Sequence, residues 1–141
     1  MNILLADDDM DDRVFFRNAL KEVPIVTTLS TVNDGIELMA YLADNLNQLP
    51  DVIFLDLSMP LKTGYECLND IKEDEKLKHL PVIVFSTSFT RGVAFERQLS
   101  DQLCTMGAHH YIRKPPSFEQ LIQVINQALI KGTETKLPNR Q

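Results

Sequence analysis

Several short hydrophobic runs of the sequence are followed by side chains that could take part in metal or phosphoryl chemistry. Asp7 and Asp8 follow the first such run, Asp56 and Ser86 follow two later ones, and Lys114 follows the last. In an open sheet of parallel strands, ligands bind beyond the carboxyl ends of the strands. If these runs are such strands, three carboxylates, a hydroxyl and an ammonium meet at one edge of the sheet.

Together these groups favour phosphoryl chemistry with a divalent cation. Clustered carboxylates repel one another, and some would stay protonated unless a cation joined them. Mg²⁺ is the natural cation, because it prefers oxygen ligands and keeps several waters. The metal and Lys114 can offset the charge of a phosphoryl group, the Ser86 hydroxyl can donate to it, and Asp56 can act as a nucleophile that forms an acyl phosphate. One such residue alone is usually a turn or surface residue, so the hypothesis depends on their ordered combination.

The elements that must position these side chains alternate along the chain. The runs predicted to be strands lie at 3–5, 25–32, 52–55, 82–85 and 110–112. The first, third and fourth are apolar throughout, which is typical of parallel strands covered on both faces. Apolar residues at helical spacing fill the gaps, and Thr63–Glu66 and Ser117–Gln120 predict capping boxes. This alternation predicts an α/β fold with a doubly wound parallel sheet.

Length and composition fit one soluble domain. The 141 residues are 44% apolar and 24% charged, as in ordinary globular proteins. The net charge of −6 argues against nonspecific binding to nucleic acid or to an anionic membrane. The sequence shows neither a signal peptide nor an apolar run of membrane-spanning length. Cys67 and Cys104 lie in apolar helical patterns, so we expect buried thiols and a reducing, cytoplasmic compartment.

Four segments of the chain together resemble the receiver domains of two-component signalling, the CheY-like superfamily. They are Ile3 to Asp9, Asp51 to Pro60 with Gly64 following, Pro81 to Ser86, and Tyr111 to Pro115. The resemblance implies a flavodoxin-like fold, with a five-stranded parallel sheet in the order 2-1-3-4-5 and five helices. We expect a receiver domain at residues 1–131 and a short polar tail at 132–141, without an output domain.

The resemblance implies how the metal and the phosphoryl group are held. Asp7 and Asp8 are similar to the acidic pair of the family, with Asp8 binding Mg²⁺ directly and Asp7 largely through water. Asp56 resembles the phosphoacceptor and is also an implied metal ligand. Ser58 is implied to offer its backbone carbonyl to the metal.

Further residues resemble those that respond to phosphorylation. Ser86 corresponds to the switch hydroxyl, and the Thr87 backbone N–H is implied to help hold the phosphoryl group. Lys114 corresponds to the family's lysine, and the resemblance implies a cis Lys114–Pro115 bond. Tyr111 lies where the family carries its aromatic switch residue.

The sequence departs from the commonest pattern of the family at several points. Ser58 stands where Asn is frequent, Ser86 stands where Thr is frequent, and Pro116 stands where an aromatic is common. The segment between Ser86 and Lys114 is longer than usual, and the extra residues fall near 90–106. Helix four is therefore expected to differ in geometry from its counterparts.

The leading hypothesis is a response regulator that accepts phosphate from a histidine kinase or a histidine phosphotransfer protein. It is a switch rather than an enzyme with a separate substrate, and it catalyses only its own phosphoryl transfer and dephosphorylation. Phosphorylation of Asp56 is expected to change the face formed by helix four, strand five and helix five, where a downstream protein or a second copy binds. Direct binding to nucleic acid or to a membrane is not expected.

Two other hypotheses fit parts of the pattern. A haloacid-dehalogenase-like phosphatase also uses an aspartyl phosphate and Mg²⁺, but its nucleophile lies in an Asp-x-Asp motif after the first strand. Here Asp56 follows the third predicted strand, and the residue two positions later is Ser58. A degenerate receiver that binds partners without phosphate is disfavoured, because every expected functional group is present.

Overall fold

The computed structural model describes residues 1–87 and 93–134, in which strands and helices alternate. The strands are β1 (Asn2–Ala6), β2 (Thr28–Val32), β3 (Val52–Leu55), β4 (Val82–Ser86) and β5 (His110–Arg113). The helices are α1 (Met10–Lys21), α2 (Gly35–Asp44), α3 (Gly64–Glu73), α4 (Val93–Thr105) and α5 (Phe118–Glu134). Each predicted strand is present, with bounds that shift by a few residues.

The strands within the described ranges form one parallel sheet in the order β2-β1-β3-β4-β5, which confirms the predicted fold class. Strands β3 and β4 are buried along their whole length, whereas the edge strands β2 and β5 are mostly half-buried. Ala6 pairs with Leu55 at the carboxyl ends of β1 and β3. The residues that follow this pair, Asp7 and Asp56, therefore leave the sheet side by side.

The hydrophobic core lies in two layers, one on each face of the sheet. Alternate residues of a strand point to opposite faces, so that Ile53 belongs to one layer and Phe54 to the other. Helices α2, α3 and α4 cover the first layer, and α1 and α5 cover the second. The helix residues buried in these layers include Leu38, Leu42, Leu68, Ile71 and Leu103 in the first and Phe16, Leu20, Leu121 and Ile125 in the second.

Side-chain caps determine where the helices next to the site begin. The predicted capping box of α3 is confirmed, because Thr63 and Glu66 each accept a hydrogen bond from the other's backbone N–H. Asp9 caps α1 and accepts a hydrogen bond from the Asp12 backbone N–H at 3.1 Å. At the start of α5, the Gln120 backbone N–H donates to Ser117 Oγ at 3.2 Å, which is one of the two bonds of the box predicted there.

The structure corrects two expectations from the sequence. The Lys114–Pro115 bond is trans, not cis. Trans is the isomer of lower energy for a bond before proline, and Lys114 reaches the carboxylates with the bond in this form. Cys104 is exposed, whereas Cys67 is buried as predicted. The apolar pattern around Cys104 is satisfied by its neighbour Leu103, which takes the buried position on α4.

Parts of two predicted segments lie outside the described residues. Residues 88–92 belong to the long segment between β4 and β5, and residues 135–141 belong to the predicted tail. Helix α5 extends to Glu134, so the tail boundary at residue 132 stays a prediction. No helix in the described ranges combines the length and the apolar character that crossing a membrane requires.

The first residue of α3 packs directly against the chain segment that carries Asp56. Gly64 donates its backbone N–H to the Leu57 carbonyl at 3.0 Å. A Cβ atom at position 64 would lie 2.7 Å from Leu57 Cα and closer still to the Asp56 carbonyl oxygen. Glycine is therefore required here by close contact between backbones.

We predict that Gly64→Ala lowers the free energy of unfolding by about 2 kcal/mol, because the loop after β3 must move to admit the methyl group. In an ordinary helix the same substitution stabilises by up to about 1 kcal/mol. Asn69→Ala, at an exposed position of the same helix, is the matched control and should change stability by less than about 0.5 kcal/mol. Denaturant unfolding measures both, and a Gly64→Ala protein as stable as the wild type would contradict the packing argument.

Candidate functional site

Three carboxylates lie together where β1 and β3 end. One oxygen from each of Asp7, Asp8 and Asp56 lies within 4.8 Å of the others. Asp7 and Asp56 are buried, with 1% and 6% of their surface exposed, while Asp8 is exposed. Solvent therefore reaches the cluster at Asp8, whereas Asp7 and Asp56 are shielded from it.

The Lys114 ammonium enters this cluster from the end of β5. Its Nζ lies 2.7 Å from Asp7 Oδ2, 2.9 Å from Asp12 Oδ2 and 3.7 Å from Asp56 Oδ2. The Lys114 backbone N–H donates to the Ser86 carbonyl at 3.0 Å, which holds the residue beside β4. Lys114 therefore makes hydrogen bonds to Asp7 and Asp12 and makes only a longer electrostatic contact with Asp56.

The two oxygens of Asp56 have different surroundings. Asp56 Oδ1 accepts a hydrogen bond from Ser86 Oγ at 2.9 Å and one from the Ser58 backbone N–H at 3.3 Å. Asp56 Oδ2 is the oxygen that faces Lys114. Thr87, which follows Ser86 directly after β4, is exposed. The carboxylate is thus held in one orientation by its Oδ1 partners.

Burial disfavours the charged form of these carboxyl groups. Desolvation raises the pKa of both Asp7 and Asp56 above the usual value of 3.8, although the positive charge of Lys114 acts in the opposite direction on each. Burial also disfavours the charge on Lys114, but its hydrogen bond and charge interaction with Asp7 raise the pKa of Lys114 above its usual value. A site made of carboxylate oxygens that are costly to ionise fits a hard divalent cation, whose charge removes that cost.

Most of the sequence matches a known protein family. A sequence model described as "Response regulator receiver domain" matches residues 3–126. The chain belongs to the receiver domain family of response regulators. Receiver domains are phosphoacceptors in two-component signalling, they interact with histidine kinases, and they act as signalling switches.

Relatives of this receiver domain include both short and long proteins. Response regulator Rcp1 of Synechocystis sp. is 37% identical over 90 residues, which cover 61% of each chain. Sensor histidine kinase CheAY of Helicobacter pylori is 30% identical over 129 residues, which cover 90% of this chain and 15% of CheAY. The chain therefore spans less than two thirds of the length of these relatives.

Solved structures of receiver domains agree with the fold. The phosphorylated cyanobacterial phytochrome response regulator RcpA superposes with a TM-score of 0.78 at 33% identity, covering 95% of this chain and 94% of RcpA. The Mn²⁺-bound form of Rcp1 superposes with a TM-score of 0.74 at 28% identity, covering 89% of each chain.

The predicted switch residue of this receiver domain, Tyr111, makes its described hydrogen bonds outside the carboxylate cluster. The Tyr111 hydroxyl lies 3.3 Å from Glu96 Oε2 and 3.4 Å from Glu96 Oε1, so it joins β5 to α4. Burial, together with the negative charge of Glu96, raises the pKa of Tyr111 to about 12. The hydroxyl is therefore a stable hydrogen-bond donor to Glu96 at neutral pH.

The structure brings most of the predicted site residues of this receiver domain together. Asp7, Asp8, Asp56, Ser86 and Lys114 form the cluster, and Ser58 and Thr87 lie in the segments that border it. Sequence reasoning missed three contacts: Asp12 with Lys114, Glu96 with Tyr111, and the Arg13 guanidinium with the Asp7 carbonyl at 2.8 Å. The positions of Asp12 and Arg13 in the first turn of α1, directly after the acidic pair, were the available signal.

We predict that Asp56→Asn raises the free energy of unfolding of the metal-free protein at neutral pH by about 1 kcal/mol or more. The amide keeps an acceptor for Ser86 and Ser58 but carries no buried charge. Because the folded pKa of Asp56 is raised, wild-type stability falls as pH rises from the usual value of 3.8 through the folded pKa. The difference in free energy of unfolding between Asp56→Asn and the wild type should therefore shrink as pH falls from the folded pKa toward 3.8.

Denaturant unfolding in a chelator at several pH values measures this difference. Asp44→Asn, which removes an exposed carboxylate at the end of α2, is the control and should change stability by less than about 0.5 kcal/mol. An Asp56→Asn protein no more stable than the wild type at neutral pH would show that the buried charge carries no such cost.

Proposed function

We propose that Asp56 accepts a phosphoryl group from a histidine kinase or a histidine phosphotransfer protein in a Mg²⁺-dependent reaction. The observation that carries this proposal is the arrangement around Asp56. Its carboxylate is buried at the end of β3, lies beside Asp7 and Asp8, is oriented by Ser86 and Ser58, and faces the Lys114 ammonium at 3.7 Å.

The metal would be held by Asp8, Asp56 and the backbone carbonyl of Ser58. Asp7 already accepts hydrogen bonds on both oxygens, from the Asp9 backbone N–H at 2.9 Å and from Lys114, which supports a role through water rather than as a direct ligand. When bound, Mg²⁺ neutralises the carboxylates and polarises the phosphoryl oxygens. The Mn²⁺ in the Rcp1 structure supports a divalent cation at this position.

The chain's own residues would orient and stabilise the transferred group. An oxygen of Asp56 attacks the phosphorus of a phosphohistidine, the P–N bond breaks, and the imidazole leaves with the electron pair. Lys114 offsets the negative charge of the phosphoryl oxygens, and the Thr87 backbone N–H donates to one of them. Hydrolysis reverses the change, when water attacks the acyl phosphate and inorganic phosphate leaves.

Ser86 would act as the sensor of the phosphoryl group. Its hydroxyl already donates to Asp56 Oδ1 at 2.9 Å, so phosphorylation exchanges its acceptor from the carboxylate to a phosphoryl oxygen. Ser86 pairs with Arg113 on β5, and Tyr111, two residues before Arg113, pairs with Val84. A small movement at the end of β4 is therefore passed to the neighbouring strand.

Tyr111 would pass the change to the protein surface. Its contact with Glu96 connects β5 to α4, and the ring also packs against the core layer covered by α2, α3 and α4. A change in the position of the ring is worth on the order of 1 kcal/mol or more, which biases a pre-existing equilibrium several-fold. The face formed by α4, β5 and α5 then binds a downstream protein or a second copy.

We also propose that the protein is located in the cytoplasm, because both of its cysteines are free thiols, which fits a reducing compartment. The proposal also includes catalysis limited to the chain's own phosphoryl transfer and dephosphorylation. Neither direct nucleic-acid binding nor membrane binding forms part of it.

We predict that acetyl phosphate with Mg²⁺ labels the wild type and fails to label Asp56→Asn or wild type in a chelator. Intact-mass spectrometry measures the label, and hydroxylamine should remove it, as expected for an acyl phosphate. Asp51→Asn, at the opposite end of β3, is the control and should be labelled as well as the wild type. Full labelling of Asp56→Asn would mean that Asp8 or Asp9 is the acceptor.

We predict that Ser86→Ala and Tyr111→Ala are still phosphorylated but show smaller phosphate-induced NMR shifts in α4 and α5 than the wild type. Each variant breaks one step between the phosphoryl group and the surface. Tyr41→Ala, which removes a half-buried tyrosine from α2, is the control and should leave those shifts unchanged. Wild-type shifts in both test variants would show that the signal takes another route.

A further inference from the structure

The Lys114 ammonium is held away from the proposed phosphoacceptor. Its two hydrogen bonds, at 2.7 Å to Asp7 and 2.9 Å to Asp12, are both shorter than its 3.7 Å separation from Asp56 Oδ2. A separation of 3.7 Å is too long for a hydrogen bond. The cation that would neutralise a phosphoryl group on Asp56 is therefore engaged with other carboxylates.

Asp12 is the partner of Lys114 that the metal site does not use. The carboxylate cluster that could hold a cation consists of Asp7, Asp8 and Asp56. Asp12 lies outside it and approaches Lys114 from the first turn of α1. The Asp12 backbone N–H is fixed by the Asp9 cap. The Asp12 side chain is 41% exposed, so the core does not depend on it. Its carboxylate thus contacts Lys114 from an element whose start is fixed by the Asp9 cap.

We propose that Asp12 is a positioning residue that holds Lys114 on the α1 side of the site and so lowers the affinity of the site for a phosphoryl group. This inference rests on the proposed function of Asp56. A phosphoryl group adds negative charge beside Asp56, and Lys114 must turn part of its hydrogen bonding toward it. Asp12 opposes that movement by competing for the ammonium, and its own charge repels the incoming group.

The side-chain exposure of the pair sets the size of the effect. Lys114 is 12% exposed and Asp12 is 41% exposed, so solvent screens the interaction in part. Ion pairs of this kind contribute about 0.2–1 kcal/mol, which corresponds to at most about a fivefold change in a binding constant. Asp12 therefore adjusts the phosphorylation equilibrium and does not decide whether the site works.

Asp11 provides a matched control for the charge of Asp12. It lies in the same turn of α1, carries the same charge and is exposed, but it makes no hydrogen bond to Lys114, whose described acceptors are Asp7 and Asp12. Asp11→Asn and Asp12→Asn change the net charge equally. Any difference in affinity between the two variants therefore reports the contact with Lys114 and not the loss of one negative charge from α1.

The experiment titrates beryllofluoride, a phosphoryl mimic, into the protein at saturating Mg²⁺ and follows the bound mimic by fluorine NMR. Asp12→Asn should bind it about two- to fivefold more tightly than the wild type, and Asp11→Asn should bind within a factor of about 1.5 of the wild type. Asp12→Glu, which restores a carboxylate for Lys114, should return most of the wild-type affinity. In the metal-free protein, the Lys114 side-chain methylene signals should shift in Asp12→Asn and not in Asp11→Asn.

The outcomes separate this inference from the proposed function. If the wild type binds beryllofluoride and Asp56→Asn does not, the proposed function stands. An Asp12→Asn affinity equal to that of Asp11→Asn, or lower than the wild type, then overturns the positioning role alone, since a purely structural role would only weaken the site. If the wild type does not bind the mimic, both proposals fall.

Discussion

The burial of two carboxylates at the ends of adjacent strands is the constraint around which the site is organised. Asp7 and Asp56 are held almost without solvent contact, and desolvation raises the pKa of each. Water cannot stabilise their charge, so neighbouring donors must do so. The hydrogen bonds from Lys114, Ser86 and the backbone at Asp9 and Ser58 meet that need only in part, and a divalent cation held by these carboxylates would complete it.

The backbone around Asp56 is shaped by close packing as well as by hydrogen bonds. Leu61 has a φ of 69°, and the Lys62 N–H donates to the Pro60 carbonyl at 2.7 Å, which is a γ-turn of the rare, strained kind. Gly64 on one side and Gly35 on the other leave no room for a Cβ against this loop. The loop is thus held in a strained form by the starts of α2 and α3, as is common near functional sites.

The charges of the buried carboxylates are only partly compensated by their hydrogen-bond donors, and this suits a reversible switch. A fully neutralised carboxylate cluster would gain little from a metal or a phosphoryl group. Here Lys114 is shared between Asp7 and Asp12, Ser86 is bound to the carboxylate that we propose is phosphorylated, and Tyr111 is bound to Glu96 on α4, which covers the same core layer as the Tyr111 ring. In the proposed function, a phosphoryl group on Asp56 would offer Lys114 and Ser86 a new acceptor, and a movement of β4 and β5 would then reach the Tyr111–Glu96 contact.

The sequence by itself was enough to predict the fold class and the members of the cluster. Apolar runs such as Val52–Leu55 are typical of parallel strands covered on both faces, and parallel strands bring the residues that follow them, among them Asp7 and Asp56, to one edge of the sheet. These inferences depend on chain order and on strand periodicity, which are properties of the sequence. The capping box at Thr63 was predictable for the same reason, because its two partners are three residues apart.

Tertiary structure alone decided which partners the charged side chains choose. Asp12 and Lys114 are 102 positions apart, and Glu96 and Tyr111 come from different elements, so no local pattern could pair them. The exposure of Cys104 likewise depends on which side of α4 packs against the sheet. Periodicity determines which side of an element faces the core, but distances of a few ångströms between side chains are determined only when the elements have packed.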